Sequence, residues 1–169
     1  MAKKNGSGEK ARVAIIMGSA SDAQEMKGCA DVLKSFGVPY VARVLSAHRT
    51  PRETSHFVES AREKGIEVII AAAGGAAHLA GVTAAHTDLP VIGVPIESKS
   101  LKGLDSLLST VQMPAGVPVA CVAIGPSGAK NAAHLAVRIM ALTDKRLQEK
   151  IRKHRASMRA DVLKTELEL

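Results

Sequence analysis

Three short apolar runs in the first half of the chain break off into turns of small and polar residues, and each turn opens into a helical pattern. The runs are residues 12–17, 40–45 and 67–72. The turns are Gly18-Ser19-Ala20-Ser21-Asp22, Ser46-Ala47-His48-Arg49-Thr50-Pro51 and Gly74-Gly75-Ala76-Ala77-His78-Leu79-Ala80-Gly81. A run that is apolar at almost every position suits a strand buried on both faces. Strands that alternate with helices build a parallel sheet with right-handed crossovers. The expected fold is therefore α/β: a three-layer α/β/α sandwich with a five-stranded parallel sheet, in flavodoxin-like or Rossmann-like order.

The rest of the chain continues the pattern. After the first turn, Met26, Ala30 and Leu33 share a helical face, with Ser21 or Asp22 as N-cap and Gly37 as the stop. Pro51 can open a second helix over residues 51–64, which Gly65 ends. A short Ala-rich helix reaches Thr87, and a strand spans 89–94. Then come a loop over 95–103, a helix over 104–111, a strand over 117–124 and a helix over 130–142. Residues 144–166 form a long, highly charged helix whose apolar positions, Leu147, Ile151, Met158 and Val162, make only a narrow stripe. Residues 1–11, rich in Lys, Gly and Ser, are expected to be a flexible tail. Residues 12–143 form the α/β catalytic domain, and 144–169 a C-terminal helix that packs either on its own domain or on a neighbouring subunit.

A chain of 169 residues is long enough for one domain with a substantial core. Phe36, Tyr40 and Phe57 are its only aromatics, so Ala, Val, Ile, Leu and Met must fill that core. Cys29 and Cys121 fall in a predicted helix and strand and read as buried thiols of a reducing compartment. The start of the chain lacks the apolar segment of a secretory signal, and no run is long enough to span a bilayer, so a cytoplasmic protein is expected. The net charge of +7 is confined to the ends, because residues 13–144 hold eleven basic and eleven acidic side chains. No stacking platform or zinc-finger pattern accompanies it, which argues against nucleic acid as a partner. The histidines show no metal-ligand spacing. There is no phosphate-binding Gly-x-x-x-x-Gly-Lys loop.

In a parallel sheet all three turns lie on one edge, where ligands of open α/β sheets bind. The Ser19 and Ser21 hydroxyls and a helix N-terminus suit a phosphate. Arg49 adds a guanidinium that can clamp an anion, and Asp22 can accept from sugar hydroxyls or act as an N-cap. Gly74 and Gly75 let the backbone approach a flat ligand. His48 and His78 contribute titratable rings. This inventory fits a phosphorylated sugar or nucleotide acted on by proton transfer. His56, His134 and His154 read as helix-surface or satisfied residues, and His86 has no assigned role.

Taken together, the three turns, the stretch Asp105-Ser106-Leu107-Leu108-Ser109-Thr110-Val111-Gln112-Met113-Pro114, and Val122-Ala123-Ile124-Gly125 with Asn131-Ala132-Ala133 resemble the class I N5-carboxyaminoimidazole ribonucleotide mutases of purine biosynthesis. The resemblance covers residues 12–165. It implies an isomerase that moves a carboxylate from the exocyclic nitrogen of an aminoimidazole ribonucleotide to ring carbon four, with no metal or other cofactor. It implies substrate-binding positions at Ser19, Asp22 and Arg49, with Ser21, Ser46, Ala73 and Gly74 close by. His48 matches the family's general acid/base, and His78 the histidine that organises the carboxylate pocket. The backbone of residues 74–77 is expected to stabilise the carboxylate. The family is octameric, with C-terminal helices that reach across subunits. Two positions depart from its pattern: Leu79-Ala80-Gly81 replaces the usual Leu-Pro-Gly, and Cys121 stands where Thr is common. Three alternatives stay open: a direct carboxylase of the class II branch, a non-catalytic nucleotide-binding module, and a scaffold whose C-terminal helix binds partners.

Overall fold

The computed structural model describes residues 10–167. Apart from Lys10 and Ala11, the expected N-terminal tail lies outside the described residues, as do Glu168 and Leu169. The strands are β1 (Val13–Met17), β2 (Tyr40–Val44), β3 (Val68–Gly74), β4 (Val91–Ile96) and β5 (Ala120–Cys121). The helices are α1 (Ala23–Ser35), α2 (Pro51–Glu59), α3 (Leu79–Ala85), α4 (Leu104–Val111), α5 (Gly125–Met140) and α6 (Lys145–Leu163). The sheet is parallel throughout, in the order β2-β1-β3-β4-β5. Of the two expected orders this is the flavodoxin-like one, and its switch point lies between β1 and β3.

Alternation along the strands divides the core between the two faces. Val13, Ile15 and Met17 of β1, with Val68, Ile70 and Ala72 of β3, pack under α1 and α5. Ala14, Ile16, Ile69 and Ala71 face the other way, against Phe57 and Val58 of α2 and Leu79 and Ala80 of α3. Small residues set the spacing. Ala129, Ala132, Ala133 and Ala136 of α5 are completely buried. At Gly93 of β4 a Cβ would lie 2.4 Å from the Thr110 methyl, so glycine is what lets α4 approach the sheet.

Several boundaries differ from the sequence expectation. β3 continues through Ala73 and Gly74, and β4 is displaced to Val91–Ile96 because Leu89 and Pro90 form the approach to it. The strand expected over 117–124 is only two residues long. It is an edge strand beside β4 alone, Pro118 has no N–H to donate, and the Val117 N–H turns back to the Pro114 carbonyl. α2 ends at Glu59 and gives way to hydrogen-bonded turns up to Gly65, whereas α5 begins five residues early, at Gly125. Cys29 is buried, and burial pushes its thiol up to about 12; Cys121, on the edge strand, is only half-buried. Both thiols are free.

Asp144 caps α6 by accepting from the Arg146 and Leu147 amides, and it also pairs with Arg12 at 3.0 Å. The first half of the helix packs on the body, and its far half leaves it. Leu147 is its one buried residue, Ile151 is half-buried, and Met158 and Val162 are 55% and 73% exposed.

Candidate functional site

The first three βα turns and the loop after β4 meet at the carboxyl edge of the sheet and enclose a cleft of about 650 Å³. Ser19, Ser21, Asp22, Ser46, His48, Arg49, Ala73 and Gly74 all line it. His78 stands behind His48 rather than on the wall.

The first turn is a closed knot of polar groups. Ser19 caps a single 3-10 turn (Ala20–Asp22), and Asp22 returns its carboxylate to the Ser19 N–H at 3.1 Å, completing a capping box. Of the two expected N-caps of α1, Asp22 is the one that stands at that position, but its side chain makes no cap bond to the helix. The Ser21 hydroxyl lies 2.8 Å from Ser19 Oγ and 3.1 Å from Asp22 Oδ1. Burial raises the Asp22 carboxyl above its ordinary range, opposed by the Ser19 N–H, the Ser21 hydroxyl and the charge of Arg49.

The second turn aims Arg49. Ser46, only 8% exposed, accepts from the Arg49 backbone N–H at 3.2 Å and from Nε at 3.4 Å. Thr50 clamps the turn by accepting from the Ser46 N–H at 2.9 Å, and Thr54 donates to the Ser46 carbonyl at 3.3 Å. Arg49 Nη2 donates to the Gly18 carbonyl at 2.6 Å, which joins the turns after β2 and β1. Nη1 makes no hydrogen bond among the described residues, and Arg49 lines the cleft.

His48 Nε2 lies 2.8 Å from His78 Nδ1, with the rings edge to face. At that distance one proton sits between two nitrogens, so the tautomer of one ring determines that of the other. The two histidines come from turns 30 residues apart, and only the parallel order β2-β1-β3 brings them together.

The third turn departs from expectation in one respect. The Gly75 N–H is accepted by Ser106 Oγ at 2.9 Å, the Ala77 N–H by Ser109 Oγ at 3.2 Å, and the His78 N–H by the Ala76 carbonyl at 2.8 Å. Those amides are therefore not available to a carboxylate. From Gly75 to His78, only the Ala76 amide makes no hydrogen bond among the described residues.

Glu25, Glu97, Ser98 and Lys99 also line the cleft, and the sequence reading passed over them. A signal existed for three of them: residues 97–99 follow β4, whose carboxyl end belongs to the same edge. Burial raises the Glu25 carboxyl, and repulsion from Asp22 and Glu97 adds to this while the Glu97 N–H opposes it. One oxygen of the Glu25 carboxylate, Oε2, is buried with no hydrogen-bond partner among the described residues. The remaining histidines lie elsewhere. His86 pairs with Glu59 at 3.0 Å, and His134 stacks on His154 with both rings edge-on to Phe36. Among the described residues no cluster of His, Cys, Asp and Glu could hold a metal ion, and no helix is long and apolar enough to cross a membrane.

A family model for AIR carboxylase matches residues 12–161. A Saccharolobus solfataricus protein named N5-carboxyaminoimidazole ribonucleotide mutase is 60% identical over 157 residues, which is 93% of this chain and 98% of the relative. Proteins of the same name from Bacillus subtilis and Escherichia coli are 55% and 52% identical, covering 90% of this chain in each case and 94% and 90% of the relatives. The crystal structure of Treponema denticola PurE superposes with a TM-score of 0.81 at 30% identity, covering 89% of this chain and 93% of that one.

Proposed function

The chain belongs to the AIR carboxylase family, and from that premise we propose that it is the enzyme that converts N5-carboxyaminoimidazole ribonucleotide to its C4-carboxylated isomer in purine biosynthesis. The observation that carries the reading is that His48, paired with His78, meets anion- and hydroxyl-binding groups in one cleft.

Arg49 and the Ser19–Ser21 turn hold the phosphate, where a guanidinium gives charge-assisted hydrogen bonds. Asp22, ionised, accepts from the ribose hydroxyls. His48 in its protonated form gives its proton to the carbamate nitrogen as the N–C bond breaks and carbon dioxide leaves. The electron pair of that bond stays on nitrogen. Ring carbon four, made electron-rich by the amine, then attacks the carbon dioxide, and neutral His48 takes the proton that carbon four loses. The proton count closes on each turnover, so one residue serves as acid and then base. His78, bonded to His48 Nε2, keeps the ring in one orientation and tautomer through both steps. Carbon dioxide retained beside carbon four reacts by proximity rather than by concentration.

The exposed far half of α6, with Met158, Val162 and Leu163 uncovered, supports an assembly in which neighbouring subunits cover these helices, an octamer as the family resemblance implies. Two free thiols are in keeping with a cytoplasmic location.

Isotope tracing tests the reaction. Substrate labelled with ¹³C at the carbamate carbon is turned over in unlabelled bicarbonate. The mutase keeps the label in the C4 carboxylate. Loss of the label to solvent, with C4 product still formed, would identify a direct carboxylase.

A further inference from the structure

We propose that Ser106 and Ser109 of α4 are positioning residues that hold the glycine-rich turn closed over the reacting carboxylate, a role that rests on the mutase reading above. Both lie in the Asp105-Ser106-Leu107-Leu108-Ser109 stretch, which touches neither His48 nor the ribonucleotide-binding turns.

Ser106 is completely buried, and its hydroxyl has one donor and one acceptor task. It accepts from the Gly75 N–H at 2.9 Å and donates to the Ile96 carbonyl at 2.7 Å, so it links the end of β4 to the turn after β3. Ser109 accepts from the Ala77 N–H at 3.2 Å, and its proton goes to the Gly75 carbonyl at 3.1 Å or to the Asp105 carbonyl. Gly75 sits at φ +66°, and a Cβ built there would meet nothing within 4 Å, so packing does not replace the Ser106 bond at that point. Ala77 is buried, and its N–H is shared between Ser109 Oγ and the Gly75 carbonyl at 2.9 Å. The two hydroxyls are thus what ties the turn to α4, and the residue that follows Ala77, His78, is the partner of His48. The same end of α4 also holds the other lip of the cleft. Ser98 donates to Asp105 Oδ1 at 2.6 Å and accepts from the Gly103 N–H at 3.2 Å.

Two consequences follow from this arrangement. With the Gly75 amide taken by Ser106 and the Ala77 amide shared between Ser109 and the Gly75 carbonyl, Ala76, which lines the cleft, is the one amide from Gly75 to His78 that makes no hydrogen bond among the described residues. Losing either hydroxyl frees the turn to move, which separates His78 from His48 and opens a path for carbon dioxide. Ribonucleotide binding, which belongs to the turns after β1 and β2, is left in place.

The experiment compares wild type with Ser109→Ala, Ser109→Thr and Ser106→Ala, supplying N5-carboxyaminoimidazole ribonucleotide and measuring both the C4 product and decarboxylated aminoimidazole ribonucleotide above the enzyme-free rate. Ser109→Ala is expected to lower kcat by about ten- to a hundredfold and to leave KM within about threefold. A larger share of the consumed substrate should appear as the decarboxylated ribonucleotide. Ser109→Thr, which keeps the hydroxyl at a half-buried site, should restore both values. Ser106→Ala should show the same shift in products where it folds, and Ser109→Ala carries the test if it does not. An unchanged product ratio in Ser109→Ala, whatever its rate or melting temperature, would overturn the proposal. A wild type that makes no C4 product would overturn the mutase reading itself, and this role with it.

Discussion

Two clefts among the described residues are similar in size and differ in character. One, about 650 Å³, lies at the carboxyl edge of the sheet and is walled by turns from four strands. The other, about 570 Å³, lies between the end of α1, α5 and α6, and holds Phe36, His134, Arg138, Ile151, His154 and Arg155. Both contain histidines and arginines, so neither volume nor residue type separates them. What separates them is how the side chains are held. In the first, Arg49 bonds to Ser46 of its own turn and to Gly18 of the turn after β1, and His48 bonds to His78 of the turn after β3. In the second, the imidazoles stack on each other and stand edge-on to Phe36, and Arg138 and Arg155 form no ion pair among the described residues. A group fixed by hydrogen bonds from several elements is preorganised for chemistry. A stacked pair at a helix root holds α6 to the body.

Substitutions in the two clefts should therefore differ in kind. The largest effect is expected from His48→Asn, which removes the acid/base group. Its kcat should fall by about a thousandfold or more, with KM nearly unchanged in steady-state assays. Activity above about a tenth of wild type, a deficit under ~1.4 kcal/mol, would mean that His48 is not the proton carrier. Next comes Arg49→Gln, which removes the guanidinium charge and shortens the side chain. KM should rise by about tenfold or more, with a smaller change in kcat, because the interaction serves bound substrate and transition state alike.

A third effect depends on pH. Burial raises the Asp22 carboxyl above its ordinary value, so it takes up a proton at a higher pH than a free carboxylate would. Ribonucleotide affinity should weaken as pH falls through that raised value, since only the ionised form accepts from two hydroxyls. Calorimetric titration across pH should show this limb in wild type, and Asp22→Asn should bind weakly with no such limb.

The smallest effects belong to the second cleft. His134→Leu with His154→Leu should leave activity within about twofold. Its signature lies in stability. Burial, with His154 and Arg138 nearby, holds the His134 ring below the ordinary imidazole value. The unfolded chain then takes up the proton first, so native stability is lost as pH falls through the ordinary value of about 6.5. Between pH 8 and 5.5 the wild-type Tm should drop by a few degrees more than that of the double variant, roughly 1–3 °C. A loss of turnover in the double variant would erase the distinction between the clefts.

The sequence makes the cleft edge legible because strand ends in a parallel sheet must converge. That rule alone brings His48, Arg49, Ser19 and Gly74 together, and α4 is read to the residue over Leu104–Val111. Local signals fail where a second element decides the outcome. β5 looks like an eight-residue strand from its Val and Ile content, but an edge position and Pro118 leave two paired residues. Asp22 does stand at the N-cap of α1, but its carboxylate bonds the preceding turn and not the helix. The amides of residues 75 and 77 look free until α4, thirty residues later in the chain, supplies the hydroxyls that take them. Side chains whose partners are distant in sequence leave no periodicity to read.

The central claim is that the sheet-edge cleft performs a mutase reaction, and a two-substrate assay on the purified protein tests it most directly. One arm supplies N5-carboxyaminoimidazole ribonucleotide without added bicarbonate, and the other supplies aminoimidazole ribonucleotide with bicarbonate. Both follow the C4-carboxylated product, with His48→Asn as the control. Fast turnover in the first arm only, abolished by His48→Asn, is the predicted result. Efficient turnover in the second arm, or equal turnover by His48→Asn in the first, would contradict it.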